Sequence, residues 1–342
     1  MSARLTRRAT AALLKAGTLP AMLTMNRHAK RYYTVEFIAA GVESGVFEAL
    51  SAGPRSARAL VGDLDVDPAM EDGLAAWLDL GVSLGLLARR GGAYRLRRAA
   101  AAVLDPGNDP VVAFYTELSH LHHRLIGETP VRLREGRPFE LADADAALIA
   151  RTSRMSGPYI EAVLQEVVPP EGPVRLVEVG CGSGAHIRTA AALNPQLTAL
   201  GVELQAGAAE QARANLETWG LGDRVEVVDG DIRDHRGFGD ADLVTLHQNI
   251  YYFGVDERVT LLRHLATFLR PGGQIVVTSI VRSGAHAAAA LDLWGAMTRD
   301  TGRLPESTEL RKQLVLAGYT DARADKVTPD GMFCAFVAKR PV

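Results

Sequence analysis

Cysteine is scarce in this sequence, and long apolar runs are missing from it. Only two of the 342 residues are cysteines, Cys181 and Cys334, and they lie far apart without the spacing of a zinc site. A disulfide framework is therefore excluded, no metal site is predicted, and we expect a reduced protein of the cytoplasm. No apolar run approaches the roughly 20 residues that a membrane-spanning helix requires, so no membrane partner is predicted.

The sequence also lacks an excess of either charge. Its formal net charge is -2, whereas a protein that grips a nucleic-acid backbone needs clustered excess Lys and Arg. One exception is the segment 1–33, which has seven Lys or Arg residues and no acid. A targeting peptide or a contact with an anionic surface would have such a charge, but the apolar run at 11–14 is too short for a signal-peptide core. We expect a surface helix that packs on its own fold.

Residues 34–100 have the pattern of short amphipathic helices followed by a hairpin. Apolar residues recur at helical spacing, Ser56 is placed to cap a helix, and a longer helix ends at Gly85. Two short strands then turn at Gly91–Gly92. The succession of helix, turn, helix and hairpin predicts a winged helix.

A winged helix raises the possibility of DNA binding. The segment that would enter a groove carries Glu71, Asp72 and Asp79 and no Lys or Arg, so it would repel phosphate. A regulator that binds DNA and senses a ligand is therefore disfavoured, and we expect no nucleic-acid partner. A role in protein contacts, most simply dimerisation, is favoured instead.

The next segment, 106–170, is predicted to be a helical connector with polar interruptions. It contains His120 and His123, which share a helix face at a spacing of three residues. Two imidazoles on one face suggest a metal site, but no third ligand is evident, so a polar or wetted surface is favoured.

From Pro173 onward, strands alternate with helices. Parallel strands need crossover helices and must be covered on both faces, so the pattern predicts an α/β fold with a Rossmann-like, doubly wound, mostly parallel sheet. A ligand of such a sheet binds at the carboxyl ends of the strands. The predicted strands are 175–180, 197–204, 224–231, 241–248, 273–280 and 332–340.

The first strand ends in a glycine-rich turn that contains Gly180, Gly182 and Gly184. Glycine lets the backbone approach a ligand closely. Glu203 ends the second strand, where its carboxylate is placed to accept from two ribose hydroxyls. Both features fit either a nicotinamide dinucleotide or another adenosine cofactor.

Three further features separate these two cofactor classes. Glu178, two residues before Gly180, would repel a pyrophosphate but favour a cationic amino group. Asp231 follows the third strand and is placed to accept from an adenine amine. The stretch "LRPGGQIVV" gives a Pro-Gly-Gly turn into the fifth strand.

These motifs, in this order, resemble those of class I S-adenosylmethionine-dependent methyltransferases. The resemblance rests on "VEVGCGSG", "GVEL", "VVDGDIRD", "ADLVTLHQNIYYF" and "LRPGGQIVV". The amino-terminal half more loosely resembles the dimerisation domain of small-molecule O-methyltransferases from bacteria and plants. The resemblance implies three parts: a winged-helix dimerisation domain at 1–105, a connector at 106–170 that roofs the pocket, and a cofactor domain at 171–342.

The resemblance also implies which residues hold S-adenosyl-L-methionine. The turn from Glu178 to Gly184, with Cys181, would face the methionine part, Glu203 and Leu204 the ribose, and Asp231 with Ile232 the adenine, while His247 lies close by. It further implies a homodimer, a small-molecule acceptor and a place in secondary metabolism such as antibiotic biosynthesis.

The sequence departs from this family at the general base. Where the O-methyltransferases have a catalytic histidine, this chain has Tyr251, and Phe253 takes the place of a tryptophan. A tyrosine of pKa about 10 is a poor base at neutral pH. The remaining catalytic candidates are His247, at the end of the fourth strand, and His286, after the fifth strand.

Three interpretations of these histidines stay open. His247 is a relocated base, or alignment of the reactants alone carries the rate, or His247 and His286 hold a metal, which is the least favoured. The acceptor atom is therefore O, N or C. A further alternative is an enzyme that keeps the cofactor but decarboxylates or hydroxylates its substrate.

Overall fold

The computed structural model describes the backbone of residues 2–342 and the side chains from Leu5 onward. The chain divides into two compact units. The first covers the residues up to Arg124 together with Ala147–Thr152, and the second covers Leu125–Ala146 and Ser153–Val342. Among the described residues, no helix is both long and apolar enough to cross a lipid bilayer.

The first unit is mostly helical. Its caps follow the sequence pattern: the Ser56 side chain accepts from the Ala59 N–H at 3.2 Å, and Gly85, at φ 83°, ends the helix Glu71–Leu84. The helices are α1 (Ser2–Lys15), α2 (Thr18–Glu43), α3 (Val46–Ser51), α4 (Ala57–Asp63), α5 (Glu71–Leu84), α6 (Arg98–Ala101) and α7 (Asp109–Glu117).

A small antiparallel sheet of three strands accompanies these helices. The predicted hairpin consists of β2 (Leu87–Arg90) and β3 (Ala93–Leu96), and a two-residue strand, β1 (Arg55–Ser56), pairs with β3. Gly91 and Gly92 have φ values of 57° and 82°, as a two-residue hairpin turn of this twist requires. The hairpin and helices enclose an apolar core around Phe37, Phe47, Leu60, Leu78 and Tyr94.

The segment predicted as a connector is helical and is divided between the two units. A single π turn, Leu118–His122, joins α7 to α8 (His123–Glu135). His120 contacts Glu43 at 3.0 Å and His122 contacts Glu117 at 3.1 Å, so the histidines of this stretch are paired with carboxylates. Two helices follow, α9 (Ala146–Ser153) and α10 (Gly157–Val167).

The second unit is built on a seven-stranded sheet with helices on both faces. Five neighbouring strands, in the order β6-β5-β4-β7-β8, are parallel, as the alternation of strands and helices predicted. They are β4 (Val174–Val179), β5 (Leu197–Glu203), β6 (Val225–Asp229), β7 (Ala241–His247) and β8 (Leu269–Ile280). The helices are α11 (Ala185–Leu193), α12 (Ala206–Thr218), α13 (Arg258–Ala266), α14 (His286–Met297) and α15 (Ser307–Leu316).

Two antiparallel strands complete the sheet beyond β8. The edge strand is β9 (Thr320–Lys326), which the sequence pattern did not reveal, and β10 (Phe333–Lys339) lies between β8 and β9 and pairs with both. β10 is the last strand in chain order, yet it is an interior strand of the sheet, with β8 on one side and β9 on the other.

The basic amino-terminal segment forms α1 and the first turns of α2. Leu5, Leu14, Leu23 and Met25 are each about 60% exposed, at 60%, 58%, 60% and 59%. The expected surface helix is present, but its large apolar side chains are exposed to solvent and do not pack on its own fold. Met1 lies outside the described residues, as does the side chain of Arg4.

Candidate functional site

The glycine turn lies where β4 ends and α11 begins. Gly180, Gly182 and Gly184 have φ values of 66°, 53° and 78°, a region that residues with a Cβ rarely adopt. The Gly180 N–H donates to the Val202 carbonyl at 2.7 Å, which ties the turn to β5. The Cys181 side chain is buried, and its Sγ fills the space beside Gly201. The turn therefore presents backbone, not side chains, at this edge of the sheet.

Glu203, the last residue of β5, is joined to the same turn. Its carboxylate accepts from the Gly182 N–H at 2.8 Å and from the Gln205 N–H at 3.0 Å. Each oxygen thus uses one acceptor position and keeps another for a ligand. Leu204, which follows, is 63% exposed.

Glu178 is buried in the sheet without a partner among the described residues. It is 1% exposed, and neither carboxylate oxygen has a hydrogen bond. Burial raises the pKa of the Glu178 carboxyl well above its ordinary value, and the nearby charge of Glu203 adds to the rise. A buried acid of this kind is costly to ionise, and a cation beside it would favour the charged form.

Polar residues lie on the next two strands beyond Glu178, which are β7 and β8. Thr245 is the register partner of Glu178, and His247 is that of Thr278. The His247 Nδ1 contacts the Thr278 Oγ1 at 2.9 Å, while its Nε2 is buried without a partner in the described structure. Two residues before Glu178, Thr245 and Thr278 on their strands lie the apolar core residues Leu176, Leu243 and Val276, so the core face becomes polar at the carboxyl ends.

The ring beside His247 is that of His186, which sequence reasoning missed. The two ring centroids lie 5.0 Å apart in an edge-to-face arrangement. Burial lowers the pKa of His186 to about 4. Burial also lowers the pKa of His247 well below its ordinary value, and His186 lowers it further. The only signal in the sequence was the position of His186 in the first turn after Gly184.

We expect neither imidazole to take up a proton between pH 5.5 and 8. The reason is that burial penalises the charged form of both rings. Nitrogen-15 spectra of histidine-labelled protein will test this, with His186→Gln and His247→Gln variants to assign the two signals. A signal that titrates near pH 6.5 and disappears in the His247→Gln variant would restore His247 as a general base at neutral pH.

The two residues after β7 turn the chain back over β4. Gln248 has a φ of 56°, unusual for a residue with a Cβ. Its backbone N–H donates to the Thr278 carbonyl at 2.8 Å, and its side-chain oxygen accepts from the Ile280 N–H at 2.8 Å. The Asn249 amide nitrogen then donates to the Val179 carbonyl. Sequence reasoning assigned no role to Asn249, because this turn depends on contacts between distant segments.

Asp231 lies after β6 and caps a short 3₁₀ turn, Ile232–Asp234. Its side chain accepts from the Arg233 N–H at 2.9 Å and pairs with the Arg233 guanidinium at 2.6 Å. The hydrogen bond from Arg233 is the main cause that lowers the pKa of Asp231. Ile232 is buried. The contact of Asp231 with adenine remains a prediction, and Arg233 already occupies part of its carboxylate.

Tyr251 lies in a 3₁₀ turn, Ile250–Tyr252, and belongs to an aromatic cluster. Its ring stacks on Tyr252 with centroids 5.3 Å apart, and Trp294 of α14 meets Tyr252 at 5.4 Å. Tyr251 and Trp294 are buried, and Tyr252 is 36% exposed. The position at which the resemblance implied a histidine thus holds a buried aromatic ring.

His286 is exposed at the first position of α14, and no contact joins it to His247 in the described structure. Among residues 5–342, no group of three or more His, Cys, Asp or Glu side chains is placed to hold a metal ion. The described residues thus offer no support for a metal held by His247 and His286.

Most of the known proteins with similar sequences are methyltransferases, but one is the aclacinomycin 10-hydroxylase RdmB of Streptomyces purpurascens, 35% identical over 30% of this chain. Residues 176–273 match the family model described as a methyltransferase domain. The demethylspheroidene O-methyltransferase of Rhodobacter capsulatus is 26% identical over 73% of this chain, and the match spans 65% of that protein. A second relative, the tetracenomycin polyketide synthesis 8-O-methyl transferase TcmO of Streptomyces glaucescens, is 28% identical over 87% of this chain and 92% of its own length.

Solved structures agree with the fold. The mitomycin 7-O-methyltransferase MmcR superposes with a TM-score of 0.79 at 22% identity, over 95% of this chain and 99% of that chain. The sheet order, the glycine turn and the match at residues 176–273 describe one domain. This chain therefore contains a methyltransferase domain.

Proposed function

We propose that this protein transfers the methyl group of S-adenosylmethionine to a small-molecule acceptor in secondary metabolism. The observation that carries the proposal is the set of acceptors around the glycine turn. The carboxylate of Glu203 lies on the β5 side, and the buried, unpartnered carboxyl of Glu178 lies beneath the turn. A ligand with ribose hydroxyls and a cationic amino acid part satisfies both.

The residues fit the parts of this cofactor one by one. Glu203 would hold the two ribose hydroxyls with the acceptor positions that the turn leaves unused. The left-handed Gly180 and Gly182 would let the ligand approach the backbone, since no Cβ intervenes. Glu178 would face the ammonium group, whose charge favours the ionised carboxylate. Asp231 and Ile232 remain the candidates for adenine.

The side chains around the site support alignment rather than proton abstraction. When bound, S-adenosylmethionine supplies an electrophilic methyl group on a sulfonium. The imidazole of His247 is sealed from solvent, and Tyr251 is packed against other aromatic rings. The protein's contribution would then be to orient the acceptor and exclude water, which suits an amine, an activated carbon or an acidic hydroxyl.

The test is transfer of label. The small molecule that copurifies with the protein is identified by mass spectrometry and incubated with methyl-labelled cofactor. Label in the product supports methyl transfer. Conversion of the substrate without label would establish decarboxylation or hydroxylation instead, and an inability of the wild-type protein to bind S-adenosylhomocysteine would remove the proposal.

We further propose a homodimer in the cytoplasm, assembled through the amino-terminal unit. The exposed leucines and methionines of α1 and α2 form an apolar surface that a second copy would cover. Charge supports a second copy as the partner. Residues 1–33 hold seven of the 38 Lys and Arg and none of the 40 Asp and Glu, so the rest of the chain has nine more acidic than basic residues. The basic segment of one copy is therefore complementary in charge to the remainder of another. Two buried free cysteines are compatible with a reducing compartment.

Sedimentation will therefore give about twice the chain mass of 36.6 kDa. Replacing Leu23 and Met25 by glutamate will shift the protein to monomer, because both changes place acids on the surface to be buried. The matched control is Leu316→Glu, on α15 of the second unit, where the side chain is 67% exposed. A wild-type monomer at every concentration, or equal effects of the two variants, would contradict the proposed interface.

A further inference from the structure

We propose that Asn249 is a cofactor-binding residue, whose amide oxygen accepts a hydrogen bond from the ammonium group of S-adenosylmethionine. No motif of the sequence assigned this role. The inference rests on the proposed function, because it requires the cofactor to lie at the glycine turn.

The orientation of the Asn249 amide follows from its one hydrogen bond. Its nitrogen donates to the carbonyl of Val179, the last residue of β4. A carbonyl only accepts, so the amide must turn its NH₂ toward Val179 and its oxygen away from it. That oxygen, Oδ1, is buried and has no partner in the described structure.

The amide is packed directly against the glycine turn. A Cβ built on Gly180 would lie 2.5 Å from the Asn249 Nδ2, so the absence of a side chain at Gly180 makes room for this residue. Gln248 holds it there, because two hydrogen bonds fix the left-handed backbone that turns the chain back over β4. Strained residues that the surrounding structure holds in place cluster at functional sites.

The order of the strands places the ammonium group of the cofactor on the β7 side of β4, which is the side on which Asn249 lies. The ribose acceptor, Glu203, ends β5, which lies on one side of β4, and Asn249 follows β7, which lies on the other. A cofactor whose ribose is at β5 and which crosses the turn therefore directs its amino acid part toward β7. The carboxyl of Glu178, on β4, and the amide oxygen of Asn249, after β7, are both buried acceptors without partners among the described residues. An ammonium group has three N–H donors and satisfies both.

Calorimetry with two ligands separates the two ends of the cofactor. S-adenosylhomocysteine has the ammonium group, whereas 5′-methylthioadenosine keeps the adenosine part and lacks the amino acid. We expect Asn249→Leu to raise the dissociation constant for S-adenosylhomocysteine about 10- to 100-fold, as for loss of a hydrogen bond to a charged group. The dissociation constant for 5′-methylthioadenosine will change less than about threefold by the same reasoning.

Asn215→Leu is the matched control. The Asn215 amide also donates to a carbonyl of the turn, that of Ser183 at 3.0 Å, but its oxygen already accepts from Gln211 at 2.9 Å. This variant will leave the ratio of the two dissociation constants unchanged.

Two results would overturn the role of Asn249: unchanged binding of both ligands, or an equal loss of both, which would reflect damage to the turn. Failure of the wild-type protein to bind S-adenosylhomocysteine would instead remove the proposed function.

Discussion

The Glu203→Ala variant will bind S-adenosylhomocysteine about 30- to 1000-fold more weakly than the wild-type protein, a loss of about 2 to 4 kcal/mol. Part of the loss comes from the ribose hydroxyls, which lose a charged acceptor. The remainder comes from the turn itself, since the Gly182 and Gln205 N–H groups both donate to this carboxylate. Calorimetry measures the change directly.

Glu203→Gln distinguishes these two contributions. The amide has nearly the shape of the carboxylate, but its NH₂ must face one of the two backbone N–H donors, so one of those bonds is lost. We expect the affinity of Glu203→Gln for S-adenosylhomocysteine to lie between the affinities of the wild type and of Glu203→Ala. Unchanged affinity in Glu203→Ala would remove Glu203 from the cofactor site.

Cofactor binding will release a proton, and Glu178→Gln will abolish that release. In the free protein, burial raises the pKa of Glu178 and so favours the neutral carboxyl. A cation beside it favours the ionised form and lowers the pKa again. The affinity for S-adenosylmethionine will therefore increase with pH until the pH exceeds the raised pKa of the free protein. Calorimetry in two buffers of different ionisation enthalpy counts the protons, and equal release by the wild type and the variant would rule out Glu178 as their source.

The same carboxyl makes the stability of the cofactor-free protein depend on pH. Its pKa is higher in the folded than in the unfolded state, so it contributes most below the unfolded value of about 4.5, and that contribution is lost as the pH rises through the folded value. Glu178→Gln will remove this decline and raise the free energy of unfolding at neutral pH. Urea titrations at pH 4.5 and 7.5 measure the difference between the two proteins.

Much of the fold could be predicted because its signals are local. The apolar runs that became β4, β5 and β7 are bounded by glycine or polar residues, and these three predicted strands agree with the structure to within one residue at either end. The cap at Ser56 and the turn at Gly91–Gly92 likewise depend on neighbouring residues alone. Such features are fixed by backbone chemistry before any distant contact forms.

The features that could not be predicted depend on distant contacts or on an exposed environment. β9 has the sequence "TDARADK", whose charged side chains suit an edge strand but give no apolar alternation. The pairing of His186 with His247 joins residues 61 positions apart across a helix and a strand. Asn249 reaches Val179 only because Gln248 adopts a left-handed backbone. The roles of Glu178, Glu203 and Asp231 toward the cofactor remain predictions.

The interior position of β10 sets the order in which the sheet is completed during synthesis. β8 and β9 emerge from the ribosome first, and each then has an edge of unpaired backbone that only β10 covers. On β8, that edge belongs to the apolar residues Val276 and Val277. Such an edge recruits strands from other chains. We therefore expect nascent chains of this protein to aggregate more readily before β10 has been synthesised.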